Sequence, residues 1–322
     1  MDTTYLLPGG IRPELDCERD GAGDGVDSGH QSRVYNPATD NAPTTLLKVA
    51  MDLAEAAAEL IRTKRGELGD VRAYSQSKSS AEDPVTIVDS MAEEFITEGL
   101  RSLRPRDGLI GEEGSSFSSV SGVTWIVDPI DGTVNFIYGH PNYAVSIAAA
   151  VDGEVIAGCV VNVATAKMYV AAKGCGAFAL SPVGTHSRLV ASQEVDLATT
   201  LVATGFSYAS LRRKAQAEIL LKVLPLVRDI RRMGSAALDL CALAEGMVDA
   251  YYEHALNAWD YAAGVLIARE AGAFVVAPAL SQSGDDAHLL WGCAPGLKES
   301  FRQVMGDIPQ ELPLAALSVE EG

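Results

Sequence analysis

The sequence predicts a mixed fold: an α+β lobe with a mostly antiparallel sheet, followed by a smaller α/β lobe. Three observations predict it. Residues 44–65 ("TTLLKVAMDLAEAAAELIRTKR") repeat apolar side chains every three or four positions, a helical period. Residues 123–180 change to short apolar runs broken by Gly, Asp and Asn, the pattern of strands. From about residue 200 helical and strand patterns alternate, as they do in an α/β layer.

In chain order, Leu46, Ala50, Leu53, Ala57, Leu60 and Ile61 share one face of the first helix, with Thr44 or Thr45 placed to cap it. The polar residues 64–82 read as a surface loop able to close over a site. In "DSMAEEFITEGLRSL" (89–103) Ser90 stands three before Glu93, a capping box, and Met91, Phe95, Leu100 and Leu103 continue at near-helical spacing. Strands are expected at "VTWIVD", "YAVSIAAAV", "EVIAGCVVNVA", "KMYVAAKG" and "GAFAL". Helices "LRRKAQAEILLKVLP", "SAALDLCALAEG" and "WDYAAGVLIAREAGA" then alternate with the strand patterns "VRDIRRMG", "MVDAYYE" and "FVVA". There is no internal repeat. A composition shift at "SPVGTHSRLV" (181–190) marks the lobe boundary, giving an acidic tail 1–43, an N-terminal lobe 44–190, a C-terminal lobe 191–305 and a second tail 306–322.

With 322 residues, 48% of them hydrophobic, the chain has material for a large core or two packed lobes. Its net charge of -18 is concentrated at the ends: residues 1–43 hold eight acids against Arg12, Arg19 and Arg33, and residues 306–322 hold four acids and no base. Such ends are expected to be solvated. An acidic chain without a basic stripe is a poor binder of nucleic acid or of an anionic membrane. Cys17, Cys159, Cys175, Cys241 and Cys293 are scattered and lack CxxC spacing, which argues against a disulfide framework or a zinc site. No apolar run approaches the ~20 residues of a membrane span, and the N-terminus does not resemble a signal peptide. These features fit a soluble, cytoplasmic protein.

Four clusters gather carboxylates: Asp89 in "DPVTIVD", Glu112 and Glu113 in "GEEG", Asp128 and Asp131 in "DPIDGT", and Asp260 in "WDYAAG". Each has a bland explanation: a helix N-cap for Asp89 and Asp260, a solvated turn for "GEEG", a polar hairpin corner for "DPIDG". What they share is placement at strand ends and helix starts, where segments of an α/β fold converge on one cleft. Two unit charges ~4 Å apart repel by about 4 kcal/mol at an effective dielectric near 20, so converging carboxylates either take up protons or collect cations. With oxygen ligands alone the fitting ion is hard, Mg²⁺ or Mn²⁺ in its place. Cations held there would trap a phosphate monoester, helped by backbone amides if a helix begins at Gly132 and Thr133.

At these residues the sequence resembles the inositol monophosphatase family, within the magnesium-dependent, lithium-sensitive sugar phosphatases. "WIVDPIDGTVNF" (125–136) and "WDYAAGVLIAREAGA" (259–273) match its two signatures, and the resemblance covers roughly residues 44–305. It implies a layered αβαβα sandwich. It further implies that Glu112, Asp128 and the carbonyl of Ile130 hold one metal ion, and that Asp128, Asp131 and Asp260 hold a second. A third, weaker ion is implied near Glu112. Thr133 and Asp89 are implied to orient and deprotonate the attacking water. The amides of Gly132 and Thr133, with Asp131, face the phosphate, and Gly234, Ser235, Ala236 and Glu253 line the hydroxyl pocket. The expected reaction is in-line attack of activated water on inositol 1-phosphate without a phosphoenzyme.

Histidinol phosphate is the runner-up substrate, because its amino group could also pair with Glu253. A covalent Asp-x-Asp phosphatase is disfavoured, since Pro129 and Ile130 both separate the aspartates. A non-catalytic regulator of the same fold has no evident use for intact, mutually repelling acids. His140 and His254 read as structural histidines, and Trp125, Trp259 and Trp291 as core anchors. A homodimer is implied by the family habit, with apolar segments such as "GSAALDLCALAEG" available to meet across a two-fold.

Overall fold

The computed structural model describes residues 38–68, 75–77 and 84–317. Residues 1–37 of the acidic N-terminal tail therefore lie outside the described residues, as does most of the loop expected to close over the site. Helix α1 (Pro43–Leu68) opens with Pro43, which has no amide to lose at the first helical position. The segment entering it is held by Asp40, whose carboxylate accepts the Ala42 amide (3.0 Å) and the Thr45 hydroxyl (2.8 Å), so neither Thr44 nor Thr45, both inside the helix, is its N-cap. A short antiparallel pair, β1 (Ser75–Ser77) and β2 (Pro84–Thr86), leads into α2 (Ile87–Leu103). That helix begins before Ser90, so the expected capping box does not form. Glu93 is buried and accepts the amides of Glu113 (2.7 Å) and Ser115 (2.8 Å), fixing the turn of "GEEG".

Next come β3 (Gly108–Gly111), β4 (Ser116–Phe117), β5 (Val123–Asp131), the single-turn α3 (Thr133–Tyr138), β6 (Ala144–Val151), β7 (Glu154–Asn162), β8 (Met168–Ala172), β9 (Ala177–Leu180) and β10 (His186–Arg188). These strands form an eight-stranded sheet in the order β10-β9-β8-β7-β6-β5-β3-β4, antiparallel except for the β3–β5 pair. The chain then passes to β11 (Leu201–Thr204), α4 (Ser210–Val223), β12 (Asp229–Arg231), α5 (Ala236–Ala244), β13 (Ala250–His254), α6 (Ala258–Glu270), β14 (Phe274–Val276), β15 (Leu289–Cys293), α7 (Lys298–Gly306) and α8 (Leu314–Leu317). The second sheet runs β12-β11-β13-β15-β14, with β11 parallel to both β12 and β13.

Alternation along the strands sorts the side chains into layers. Trp125 and Val127 of β5 and Val145 and Ile147 of β6 face α1 and α2, while Ile126, Ala144 and Ala148 face α5 and α6. Tyr251 and Leu290 of the second sheet pack on those same two helices, and Val202, Tyr252 and Trp291 on its far side pack with α4 and α7. The result is the expected αβαβα sandwich.

Three expectations change. Helix α5 is buried along its whole length between the sheets, so it offers no face to a second subunit. The segment after Gly306, expected to be a solvated tail, is packed through the described residues: Ile308 and Leu312 are buried against the outer layer and Leu317 packs on it, because these apolar side chains outweigh the local charge. Cys159, Cys241 and Cys293 are not in disulfides, whereas Cys175 is disulfide-bonded, a departure from the expected absence of disulfides. Among the described residues no helix is long and apolar enough to cross a membrane.

Candidate metal centre and substrate cavity

The aspartates of "DPID" belong to a strand and not to a hairpin corner. In a regular strand residues three apart point to opposite faces. Here Asp128 pairs with Ser146 but Asp131 pairs with Ala144, so three steps on β5 answer two on β6. The extra residue is a bulge at Pro129, which has no amide to give to the ladder. It re-phases the strand so that both carboxylates reach one side. Gly132 follows at φ 94°, a left-handed turn. A Cβ there would lie 3.0 Å from the Asn142 carbonyl and 3.1 Å from that of Gly234, so only glycine lets the chain turn into α3.

Helix α6 brings the third acid. Asp260 is not the N-cap expected: Asn257 holds that place, and Asp260, at the third helical position, closes a capping box by accepting the Asn257 amide (2.7 Å) while also joining the cluster. One oxygen each of Asp128, Asp131 and Asp260 lie within 4.8 Å of one another. Asp131 Oδ2 is fixed from behind by the Ser235 hydroxyl (2.6 Å) and the Ala237 amide (2.7 Å). Burial pushes Asp128 well above the usual carboxylate range, with the charges of Glu112, Asp131 and Asp260 adding to it. Asp131 rises to about 6 through burial, opposed by its bonds to Ser235 and Ala237. Asp260 rises through burial and then the charges of Glu112 and Asp131. Each shift favours the protonated form, as burial beside other carboxylates requires.

The cluster opens on a cavity of about 180 Å³ lined by Glu112, Asp131, Gly132, Gly234, Ala236, Glu253 and Asp260, together with residues 205–208, Arg232 and residues 254–257. Glu253 projects from the end of β13; burial raises its pKa to about 7, against the Tyr251 hydroxyl (2.8 Å) and the Arg232 charge. Gly205 makes room for it, since a Cβ there would fall 2.0 Å from Glu253 Oε2.

The structure thus brings together Glu112, Asp128, Asp131 and Asp260, with Gly132, Gly234, Ala236 and Glu253 around the adjoining cavity. Asp89 is buried in the first turn of α2 and does not line that cavity. The Thr133 hydroxyl donates to the Ile130 carbonyl (3.0 Å). Ser235 is buried behind Asp131, so its hydroxyl orients the acid and does not line the cavity, because capping α5 turns it inward. Trp259 packs against the core, as expected, and also lines the cavity. Sequence reasoning missed Arg232 and the stretch 205–208, whose signal was a glycine-led aromatic run, "GFSY", directly after a strand. It also missed Asp239, an acid in the apolar run "SAALDLC". Asp239 is fully buried, and both its carboxyl oxygens lack a hydrogen-bond partner among the described residues. Burial and the nearby Glu253 and Asp131 raise its pKa well above the ordinary range.

Residues 42–299 match the profile of the inositol monophosphatase family. The chain belongs to that family. An inositol-1-monophosphatase of Mycobacterium leprae is 46% identical over 277 residues, covering 81% of this chain and 94% of that protein. The solved structure of Mycobacterium tuberculosis SuhB superposes with a TM-score of 0.73 at 42% identity, covering 84% of this chain and 99% of that one. A Vibrio cholerae protein named Nus factor SuhB is 37% identical over 235 residues, covering 71% of this chain and 84% of that protein. Family membership and these relatives make the chain an enzyme of the inositol phosphatase class.

Proposed function

We propose that the chain hydrolyses phosphate monoesters in a Mg²⁺-dependent reaction, with inositol 1-phosphate as preferred substrate. The observation that carries this reading is the convergence of buried Asp128 and Asp131 with half-buried Asp260 beside the cavity that holds Glu253. The donor set fits a hard divalent cation: it is all oxygen, and Asp128 Oδ1 is buried with no hydrogen-bond partner among the described residues. Glu112, Asp128 and the Ile130 carbonyl are the ligands proposed for one ion, Asp128, Asp131 and Asp260 for a second, with a third near Glu112. Bound there, such ions supply counter-charge to the phosphate, polarise the ester and lower the pKa of the attacking water.

The chain's own residues do the rest. Ser235 and Ala237 hold Asp131 so that one oxygen stays directed at the cluster. Because the Thr133 proton lies on the Ile130 carbonyl, its hydroxyl oxygen is left to accept from water and orient it. Relay of a proton on to Asp89, the proposed base, requires that hydroxyl to turn away from Ile130. The amides of Gly132 and Thr133 are proposed to receive phosphate oxygens. Glu253 takes hydroxyls of the leaving polyol, in space left by Gly234 and the small side chain of Ala236. Homodimer formation and inhibition by Li⁺ are parts of the proposal that rest on the family alone, and a cytoplasmic location is a part that rests on the sequence composition.

Phosphate release from inositol 1-phosphate, histidinol phosphate, fructose 1,6-bisphosphate and 3′-phosphoadenosine 5′-phosphate, measured with Mg²⁺, with chelator and with Li⁺, tests it. The highest kcat/KM should fall on inositol 1-phosphate and vanish in chelator; undiminished hydrolysis in chelator overturns the reading. The relative named Nus factor supports a second reading, a regulatory protein of this fold. A regulatory role would survive Asp131→Asn, whereas hydrolysis would not.

A further inference from the structure

Part of the cavity wall, residues 205–208 and 255–257, lies beyond the ends of β11 and β13 and outside their ladders, and His254 is the last residue of β13, paired with Leu289. Arg212 holds this wall in place. It is buried on α4, and its guanidinium reaches three oxygens from three parts of the chain: Nε donates to the Leu312 carbonyl (3.0 Å), Nη1 to the Ser207 hydroxyl (3.3 Å) and Nη2 to the Asp285 carbonyl (3.2 Å). The same stretch is held from α4 by Gln216, which accepts the Ser207 amide (2.9 Å), and by Arg213, which donates to the Tyr208 carbonyl (2.6 Å). At the entry to the other stretch, buried His254 has Nε2 2.9 Å from the Pro309 carbonyl; a carbonyl only accepts, so that nitrogen carries the proton. Asn257 accepts the Gly284 amide (2.9 Å), next to the Asp285 that Arg212 grips.

Residues 308–312 are therefore gripped by both wall segments, directly at His254 and through Arg212 at Ser207. They are also anchored on their own account. Ile308 and Leu312 are buried, the Leu289 amide donates to Gln310 (2.8 Å) and the Leu312 amide to Ala287 (3.1 Å).

We infer that the C-terminal segment 308–312 is part of the substrate-binding apparatus, and that Arg212 is the positioning residue through which it fixes the cavity wall. The inference rests on the reading of this cavity as the place of the leaving group. A planar guanidinium presents its donors in a fixed fork, so three segments are locked in register before substrate arrives, and less ordering is left for binding to bring about. A lysine at the same place is a point charge that cannot serve three acceptors in a plane. The acid cluster keeps its own supports in Ser235 and Ala237. Loosening the wall thus weakens ground state and transition state alike, which appears in KM and leaves kcat in place.

The test uses the full chain, Arg212→Lys, and a chain ending after residue 307, with kcat and KM for inositol 1-phosphate and for p-nitrophenyl phosphate, whose flat leaving group has no hydroxyls for the wall to read. Thermal unfolding of each protein is followed in parallel. In Arg212→Lys, KM for inositol 1-phosphate should rise about tenfold, the equivalent of one good hydrogen bond, with kcat within about twofold and the preference over p-nitrophenyl phosphate reduced. The shortened chain should show the same split, and a chain ending after residue 317, which keeps α8 on the outer layer, should match the wild type. A folded Arg212→Lys with unchanged KM and preference overturns the inference. So does a loss shared equally by both substrates that tracks the folded fraction. Wild-type protein inactive on both substrates with Mg²⁺ removes the reading of the cavity itself, and the inference with it.

Discussion

Replacing Asp131 by Asn should stabilise the protein in chelator while abolishing its activity. The Asn side chain keeps the shape and leaves an oxygen to accept the Ser235 hydroxyl and the Ala237 amide, so the bonds behind it survive. What it removes is a charge. Asp131 has a folded-state pKa of about 6 against an ordinary 3.8, a gap worth on the order of 3 kcal/mol. Because the folded protein binds this proton more tightly than the unfolded chain, that stability is fully present below pH ~4 and is lost as pH rises through ~6. Without divalent ions, wild type and variant should therefore unfold together near pH 4. At pH 7.5 the variant should melt higher, by on the order of 5 °C for a chain this long. Saturating Mg²⁺ reverses the order: ligand at a hundred times its Kd adds about 2.7 kcal/mol to a protein that binds it, and the variant has lost a ligand and a charge. Calorimetry at the two pH values, with chelator and with Mg²⁺, reads all four states. An Asn variant that melts below wild type in chelator at pH 7.5, or that gains as much from Mg²⁺, would refute the picture of repelling acids gathered for a cation.

Gly132→Ala forces a Cβ into the left-handed region and against the Asn142 and Gly234 carbonyls; it should cost about 1–3 kcal/mol in denaturant melts and lower kcat by displacing Thr133. Asp107→Ala removes the counter-charge of Arg104, whose fully buried side chain is paired to Asp107 at 2.6 Å and would keep its neutral acceptors at Asp40 and Asn41, and it also unpairs Trp125 Nε1 (2.9 Å). A loss of about 3–5 kcal/mol in urea unfolding is expected, with kcat per folded molecule unchanged. Glu253→Gln should raise KM for inositol 1-phosphate about tenfold and barely move that for p-nitrophenyl phosphate, as one charge-assisted hydrogen bond requires, in steady-state assays with Mg²⁺.

Periodicity was a dependable guide wherever one face of an element meets a single core. The α1 stripe and the strand runs of residues 123–180 lie where their spacing places them. Local capping was less legible, because a side chain that can cap can also be claimed by a distant backbone. Glu93 satisfies two amides some twenty residues away, and the capping box that the sequence spells is never made. The same limit hid the C-terminal anchor: charge counts across residues 306–322 say nothing about Ile308 and Leu312 finding a groove between α4 and β15. At the site, residue type and order marked the acids, but only pairing against β6 reveals that Asp128 and Asp131 face one way. Arg212 and Asp239 carry no local signal, since their partners come from other layers.

The three acids and Glu253 come from three different layers of the sandwich: β5 in the first sheet, α6 between the sheets and β13 in the second. Their separation is therefore set by how closely those layers approach, and glycine sets that approach. A Cβ on Gly158 of β7 would lie 3.0 Å from the Ala263 backbone of α6, and one on Gly264 of α6 would lie 2.8 Å from Leu240 Cβ of α5. Side chains at either place would push α6 outward, and Asp260 rides on its first turn. Close-packed interiors transmit such shifts because they have little free volume to absorb them. The "AAG" of the Trp-Asp signature is thus intelligible as packing in the service of charge: its small residues let Asp260 come within a few ångströms of Asp128 and Asp131. In a layered fold the residues that decide whether a metal cluster can form are as much the ones that bring the layers together as the ones that bear the charge.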